Sequence, residues 1–371
     1  VVGGTPSSTT SSTINVTWGY GNRGTLTFEG FIGGVSQGVV SKRIYIDQKA
    51  AFTATANPTI VAGQTTNIGL TFANKSIKLN GTTDYVGISN SSLINLATTD
   101  YRTVMLWFKA NDVTTRQVLY NEGGATNGLS MYIEGGKVYC LPWESNTPWN
   151  APSANIVTGQ WYHVAFVFDQ NATDGYHFKG YLNGTLIGAY NEGTKASNGI
   201  NAHSGAVAIG SNSNIRFQNN TTSSNNYFNG RIDGFKLWNR SLLQSEVIIE
   251  KDHVLNAPVV DADLDVYINF DNSVLDLSST VSAEDGALYG SPTYDDDVPL
   301  NPTIVWSPGG ANTATIAVNP TTNTSYTYTL TEKLSNVCLQ TGSIDVFVTI
   351  PNDKDGDGVG DIFDLDADND G

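Results

Sequence analysis

The chain has 371 residues and a formal net charge of -16, yet charged side chains make up only 15% of it. At about one domain per 100 to 200 residues, this length predicts two to four folded units rather than one core. A chain so acidic, and so poor in the lysines and arginines that neutralise phosphates, excludes nucleic acid as a partner. Abundant Gly, Ser, Thr and Asn with 10% aromatics favour strands and turns over surface helices, and the predicted fold class is all-β.

Residues 1–13, VVGGTPSSTTSST, are a low-complexity run that cannot bury a core and read as an interdomain stretch. No segment approaches the roughly 18 to 20 apolar residues that span a bilayer, so no membrane span is expected. No charged start with an apolar core marks a signal peptide either, and export would rest on signals outside this fragment. Period-2 alternation begins in INVTWGY (14–20), GTLTFEG (24–30) and SKRIYID (41–47). Three strands over 1–48 are too few for an independent sandwich; they resemble the trailing part of an immunoglobulin-like or PKD-like domain.

Two more strands follow in ATANPTIVAGQTTNIGLTF (54–72) and stop short of a domain. The segment 299–350 supplies further alternating strands, and 51–72 plus 299–350 together resemble one immunoglobulin-like repeat of large bacterial surface proteins. Residues 73–298 then stand as an insertion, which loop-closure entropy tolerates because it grows slowly with length. The resemblance implies a cysteine just before the Ala-Gly-Gln; Val61 stands there, while Cys338 fits the second position. Cys338 therefore reads as an unpaired buried thiol, and with Cys140 far away no disulfide framework is expected.

Within 73–298, SIKLNGTTDYVGISN (76–90), YRTVMLWFKA (101–110), GQWYHVAFVFD (159–169), GYLNGTLIGAY (180–190), AVAIGSN (206–212) and FNGRIDGFKLWNRSLLQSEV (228–247) follow in order. These segments resemble the laminin-G/concanavalin-like jelly rolls, and the resemblance implies a two-sheet β-sandwich. The later stretch 264–296 is similar to a segment found before such jelly rolls, so its place here is a departure; it reads as closing strands or as a connection back to the interrupted repeat. In Trp161–Phe168, Trp161, His163, Ala165 and Val167 alternate with Tyr162, Val164, Phe166 and Phe168, and both faces are largely apolar. That pattern predicts a strand covered on both sides and makes His163 a structural histidine. Asn183-Gly184 marks a tight hairpin, and 241–251 is the one predicted helix, begun by a serine cap.

Concanavalin-like folds include glycosidases, which need two carboxylates about 5 to 9.5 Å apart across a cleft. Glu122, Glu134, Glu144 and Glu192 are isolated in sequence, no nucleophile elbow is present, and the four histidines lack metal spacing. The chain is therefore read as non-enzymatic. Trp107, Trp161 and Trp238 fall in framework strands and read as core. Trp143 and Trp149 lie in the Pro-rich CLPWESNTPWNAP (140–152), which shows no strand periodicity. Two readings stand for them: rings stacking on a sugar, with Tyr139, Glu144 and Asn146 as accessory contacts and 214–228 as a second loop, or rings pinning the loop to the sandwich. Some members of the resembled family hold calcium at the sandwich edge, and Asp84 and Asp233 match positions that carry acids there; a structural hydrogen bond from either is the alternative.

Residues 353–370 hold eight aspartates and one lysine, hence -7, which leaves -9 for the rest of the chain. The tail 352–371 resembles a thrombospondin type 3 calcium repeat. Counted from Asp353, it places Asp353, Asp355, Asp357, the Val359 carbonyl, Asp361 and Asp364 at positions 1, 3, 5, 7, 9 and 12 of a calcium loop, with Gly358 at the turn. Asp366, Asp368 and Asp370 open a second loop. The expected cofactor is Ca2+, which offsets the mutual repulsion of these acids. This combination of modules resembles secreted cell-surface adhesins of Bacteroidetes-type bacteria, including those exported by type IX secretion and used in gliding. The partners so implied are a glycan or cell-surface polysaccharide and neighbouring domains of a larger chain; the alternatives are an accessory carbohydrate-binding region of a secreted polysaccharide-degrading enzyme, or a spacer that binds nothing.

Overall fold

In this computed structural model the described residues are 4–6, 16–18, 23–32, 35–45, 52–191, 199–211, 213–254, 262–278, 284–300, 302–331, 339–349 and 354. Cys338, Glu192 and all eight aspartates of the tail, with Val359, lie outside them. The described residues are nearly all strand, and their one α-helix is Gln244–Glu250. The chain divides into two compact units, one of residues 1–48 and 74–299, the other of residues 49–73 and 300–371. In the first, Arg23–Ile32 and Val35–Tyr45 pair as a separate antiparallel hairpin.

The smaller unit joins two remote stretches of sequence. Thr303–Ser307, Thr324–Thr331, Leu339–Thr349 and Thr59–Val61 form one sheet, and Thr315–Val318, Thr66–Phe72 and Phe52–Ala54 form the other. Its core gathers Ile68, Leu70, Leu330 and Val346 around Trp306, which is fully buried and donates Nε1–H to the Thr313 carbonyl at 2.9 Å.

The larger unit is a sandwich of two antiparallel sheets. The back sheet runs Thr185–Tyr190, Phe178–Leu182, Trp161–Asp169, Tyr101–Ala110, Asn229–Trp238, Ser76–Asn80, Thr293–Asp295, with Leu264–Ile268 also on Asn229–Trp238. The front sheet runs Thr147–Pro148, Lys137–Glu144, Gly128–Glu134, Gln117–Gly123, Ala206–Ile209, Tyr85–Ile88, Gly286–Tyr289. The 264–296 stretch thus supplies closing strands to both sheets. Its last strand is fixed by ion pairs of Lys109 with Asp297 and of Arg231 with Asp295, both at 2.7 Å, and by the Trp161 Nε1–H donated to Asp297 at 2.9 Å.

Alternation sets the faces. Val164, Phe166 and Phe168 enter the main core between the sheets, while Ala165 and Val167 face out and join Trp238, Leu242, Val247 and Tyr267 in a smaller core beneath the helix. The helix begins three residues after the predicted cap. Glu246 accepts the Leu243 N–H at 2.9 Å, which leaves the Ser241 hydroxyl free to donate to Asp169. Asn183 and Gly184, with φ of 51° and 80°, turn the hairpin between Leu182 and Thr185 as a type I′ turn requires.

Beneath the helix lies a buried charge cluster. Lys236 donates Nζ–H to the Glu250 and His253 carbonyls at 2.7 and 2.6 Å and meets the Glu250 carboxylate at 3.3 Å. His163 is buried too, and burial, then the charges of Lys236 and Lys251, push its imidazole well below the usual histidine range. It sits edge-on to Trp107, which is only half-buried and donates Nε1–H to the Lys251 carbonyl. Trp161 is likewise half-buried, so of the three framework tryptophans only Trp238 is fully buried core.

Candidate functional site

The segment without strand periodicity contains the strand Lys137–Glu144, and of the two readings of its tryptophans the burial of both rings favours the one that pins them to the sandwich. Val138 and Cys140 point into the main core, and Leu141 and Trp143 point outward into a second apolar cluster with Val118, Tyr132, Ile215 and Phe217. The last two belong to the excursion 213–228, which covers this part of the front sheet. Trp143 is 2% exposed, donates Nε1–H to the Gly124 carbonyl at 2.8 Å and lies on Gly128, where an added Cβ would meet its ring at 2.5 Å. Trp149, also 2% exposed, packs in the main core against Phe168. Neither ring offers a face to a sugar, because Trp143 is buried on the covered outer side of the strand and Trp149 is buried in the main core.

The three accessory residues are spoken for in the same way. Tyr139 stacks on Tyr132 with centroids 4.8 Å apart. Glu144 is half-buried, and burial raises its carboxyl. Asn146 is exposed at the tip of the Glu144–Thr147 hairpin and accepts from Arg216 Nη2 at 3.1 Å. Cys140 is a buried free thiol, pushed up by burial.

An aromatic surface does exist, at the opposite edge of the front sheet. Val86 and Ile88 fill the core, so Tyr85 and Gly87 face outward, and the register sets Tyr289 directly across from Tyr85. The two rings stack with centroids 4.5 Å apart and planes 2° apart, and Tyr227 from the excursion flanks Tyr85 at 6.2 Å. Gly87 is required here, since a Cβ would strike the Tyr289 ring at 2.8 Å. Tyr289 is 47% exposed. Burial, then the neighbouring tyrosines, raises the Tyr85 hydroxyl. A row of small side chains runs across the sheet from Gly87 through Ala208 and Asn121 to Ser130. Asn121 Oδ1 and Ser130 Oγ on that row are fully buried and have no hydrogen-bond partner among the described residues. Such a surface suits a ligand with an apolar face and neutral polar substituents.

Asp84 and Asp233 are not brought together. Asn80 pairs with Asn229 and Ile77 with Ile232, so Asp233 lies beside the Ser76 end of that strand while Asp84 follows the turn at its other end. Asp84 accepts from the Ser291 N–H at 2.8 Å and the Thr83 hydroxyl at 3.2 Å, tying the hairpin to the returning chain. Asp233 is buried, and burial followed by the charge of Asp271 raises its carboxyl well above the usual range. Among the described residues, no three His, Cys, Asp or Glu side chains are placed to hold a metal ion. Glu122 is fully buried and accepts the Tyr120 hydroxyl at 2.6 Å, and Glu134 pairs with Arg116 at 2.8 Å.

Residues 80–248 match the laminin G-type family model described as the Concanavalin A-like lectin/glucanases superfamily. This part of the chain is a concanavalin A-like jelly roll. Among solved structures, the chain is similar to a heptameric SAP-like pentraxin from Limulus polyphemus, at 16% identity over 60% of this chain and 94% of that one, with a TM-score of 0.41. It is similar to a candidate carbohydrate-binding protein from Bacteroides ovatus, at 12% identity over 64% and 70% of the two chains, TM-score 0.44. A third is domain 4 of AbnA, an extracellular arabinanase from Geobacillus stearothermophilus, in complex with arabinotriose, at 20% identity over 54% and 87%, TM-score 0.35. No curated protein matches the chain. Among the described residues, no helix is long and apolar enough to cross a membrane.

Proposed function

We propose that the jelly roll binds a glycan on the outer face of its front sheet, as the non-catalytic recognition part of a secreted bacterial surface adhesin. The observation that carries this reading is the tyrosine row Tyr85, Tyr289 and Tyr227, partly open to solvent beside Gly87. A flat ring stacks on the apolar face of a pyranose, and phenol hydroxyls meet its polar edge. The test is a glycan array probed with the whole chain. A sugar bound by the natural sequence is expected to bind roughly tenfold more weakly to Tyr289→Ala, from the loss of one stacking ring. One observation favours a second reading: the burial of Trp143 and Trp149 is what a structural spacer would show. An array without any bound sugar would select the spacer.

The acidic tail enters this proposal as a calcium-clamped extension of the adhesin. Its donors, the carboxylates of Asp353, Asp355, Asp357, Asp361 and Asp364 with the Val359 carbonyl, are all oxygens, as a hard cation requires. Titration calorimetry should detect calcium binding that Asp355→Ala with Asp357→Ala abolishes. Proteolysis of the tail should be fast in chelator and slow in calcium; equal rates would leave the tail a solvated acidic segment.

A further inference from the structure

A cavity of about 260 Å³ opens on the outer face of the back sheet, where the strands Trp161–Asp169 and Phe178–Leu182 meet the residues that lead into the helix. Its floor is apolar. Val167, Leu242 and the ring of Tyr181 belong to the small core under the helix. Its rim is polar and is shaped by two turns. Asp169 Oδ1 accepts from the Asn171 N–H at 2.9 Å, and Asp174 Oδ1 accepts from the Tyr176 N–H at 3.1 Å. Tyr176 stands at the mouth, 47% exposed.

The charges on this rim do not balance. Lys179 Nζ binds Asp174 Oδ2 at 2.6 Å, and the two cancel. Asp169 Oδ2 accepts from the neutral Ser241 hydroxyl at 2.9 Å, and among the described residues it has no ion-pair partner. One uncompensated carboxylate therefore overlooks an apolar floor bounded by two phenol rings. An anion is repelled there, and a neutral polyol leaves the charge uncompensated. A cation on a short apolar stem satisfies the carboxylate, the floor and the rings together.

We propose that this cavity binds a single primary ammonium or guanidinium group, held by Asp169 with its stem on Val167, Tyr181 and Leu242. An amino sugar and a lysine or arginine side chain of another protein are the two sources of that chemistry. The tyrosine row lies on the other sheet, so the outcome of the glycan array leaves this proposal untouched.

The test is a set of titrations of the whole chain at about pH 6.5, where the amine of glucosamine carries its proton, followed by ligand-observed NMR. The probes are glucosamine, glucose, Nα-acetyl-lysine methylamide and its Nε-acetylated form. The charged member of each pair is expected to bind about tenfold more tightly than its neutral counterpart, and more weakly as salt rises. Glucosamine alone would identify the source as an amino sugar, and the lysine derivative alone would identify a protein side chain. Asp169→Asn should lose the preference for charge. Asp174→Asn, on an exposed turn that does not carry the core, frees Lys179 to repel the cation and should weaken binding by a similar factor. Equal binding of glucose and glucosamine, binding insensitive to both substitutions, or no binding of either charged probe overturns the proposal.

Discussion

Trp143→Ala is expected to destabilise the jelly roll by about 3 to 5 kcal/mol, the range for truncating a fully buried aromatic. The indole fills a space bounded by Tyr132, Leu141 and Phe217 and closes against Gly128, and its N–H satisfies the Gly124 carbonyl. The surrounding strands are fixed by their ladders, so the cavity collapses only in part. The change should appear as a shift of the jelly-roll transition in urea unfolding, followed separately from the smaller unit because a two-unit chain need not unfold in one step. Any glycan binding, expressed per folded molecule, should persist. A variant of near-natural stability that has lost glycan binding would instead make Trp143 an open platform.

Lys236→Met is expected to remove about 3 to 5 kcal/mol from the same transition. Lys236, Glu250 and His253 are all at least nine-tenths buried, and the lysine donates to two carbonyls as well as facing the carboxylate. Methionine fills most of the space yet removes the ammonium that faces the buried Glu250 carboxylate and donates to the Glu250 and His253 carbonyls. Part of the loss should return in Lys236→Met with Glu250→Gln, because the second change removes the charge of the buried carboxylate that the lysine faced. A single substitution without effect would place the cluster in water.

Much of the sandwich is written in periodicity. The alternation from Trp161 to Phe168 assigns its apolar residues to the correct faces, because both cores demand large side chains at fixed intervals. The same two-sided burial hides Lys137–Glu144. A strand covered on both faces, interrupted by Pro142 and followed by Pro148, shows no alternation and reads as a loop. Ser241 reads as a helix cap because it is a serine near the start of an amphipathic run, yet Asp169, 72 positions earlier, takes its hydroxyl. Nothing local could reveal that pairing.

The tyrosine row and the cavity are hidden for the same reason. Tyr85, Tyr227 and Tyr289 come from three distant segments; the front sheet's register sets Tyr289 beside Tyr85, and the excursion 213–228 brings Tyr227 to them. Asp169, Asp174 and Ser241 converge only once the helix has packed on the back sheet. Gly87 carries one faint signal, a small outward residue beside a tyrosine in an otherwise bulky strand, but it points to a close approach without naming the partner.

The central claim is that a glycan stacks on the tyrosine row, and the most direct measurement is NMR of the whole chain with ring-labelled tyrosines, titrated with the strongest sugar from the array. The ring resonances of Tyr85, Tyr227 and Tyr289 should shift and saturate together, while those of the buried Tyr120 and Tyr267 stay in place. Shifts confined to other tyrosines, or no shift at saturating sugar, would contradict it.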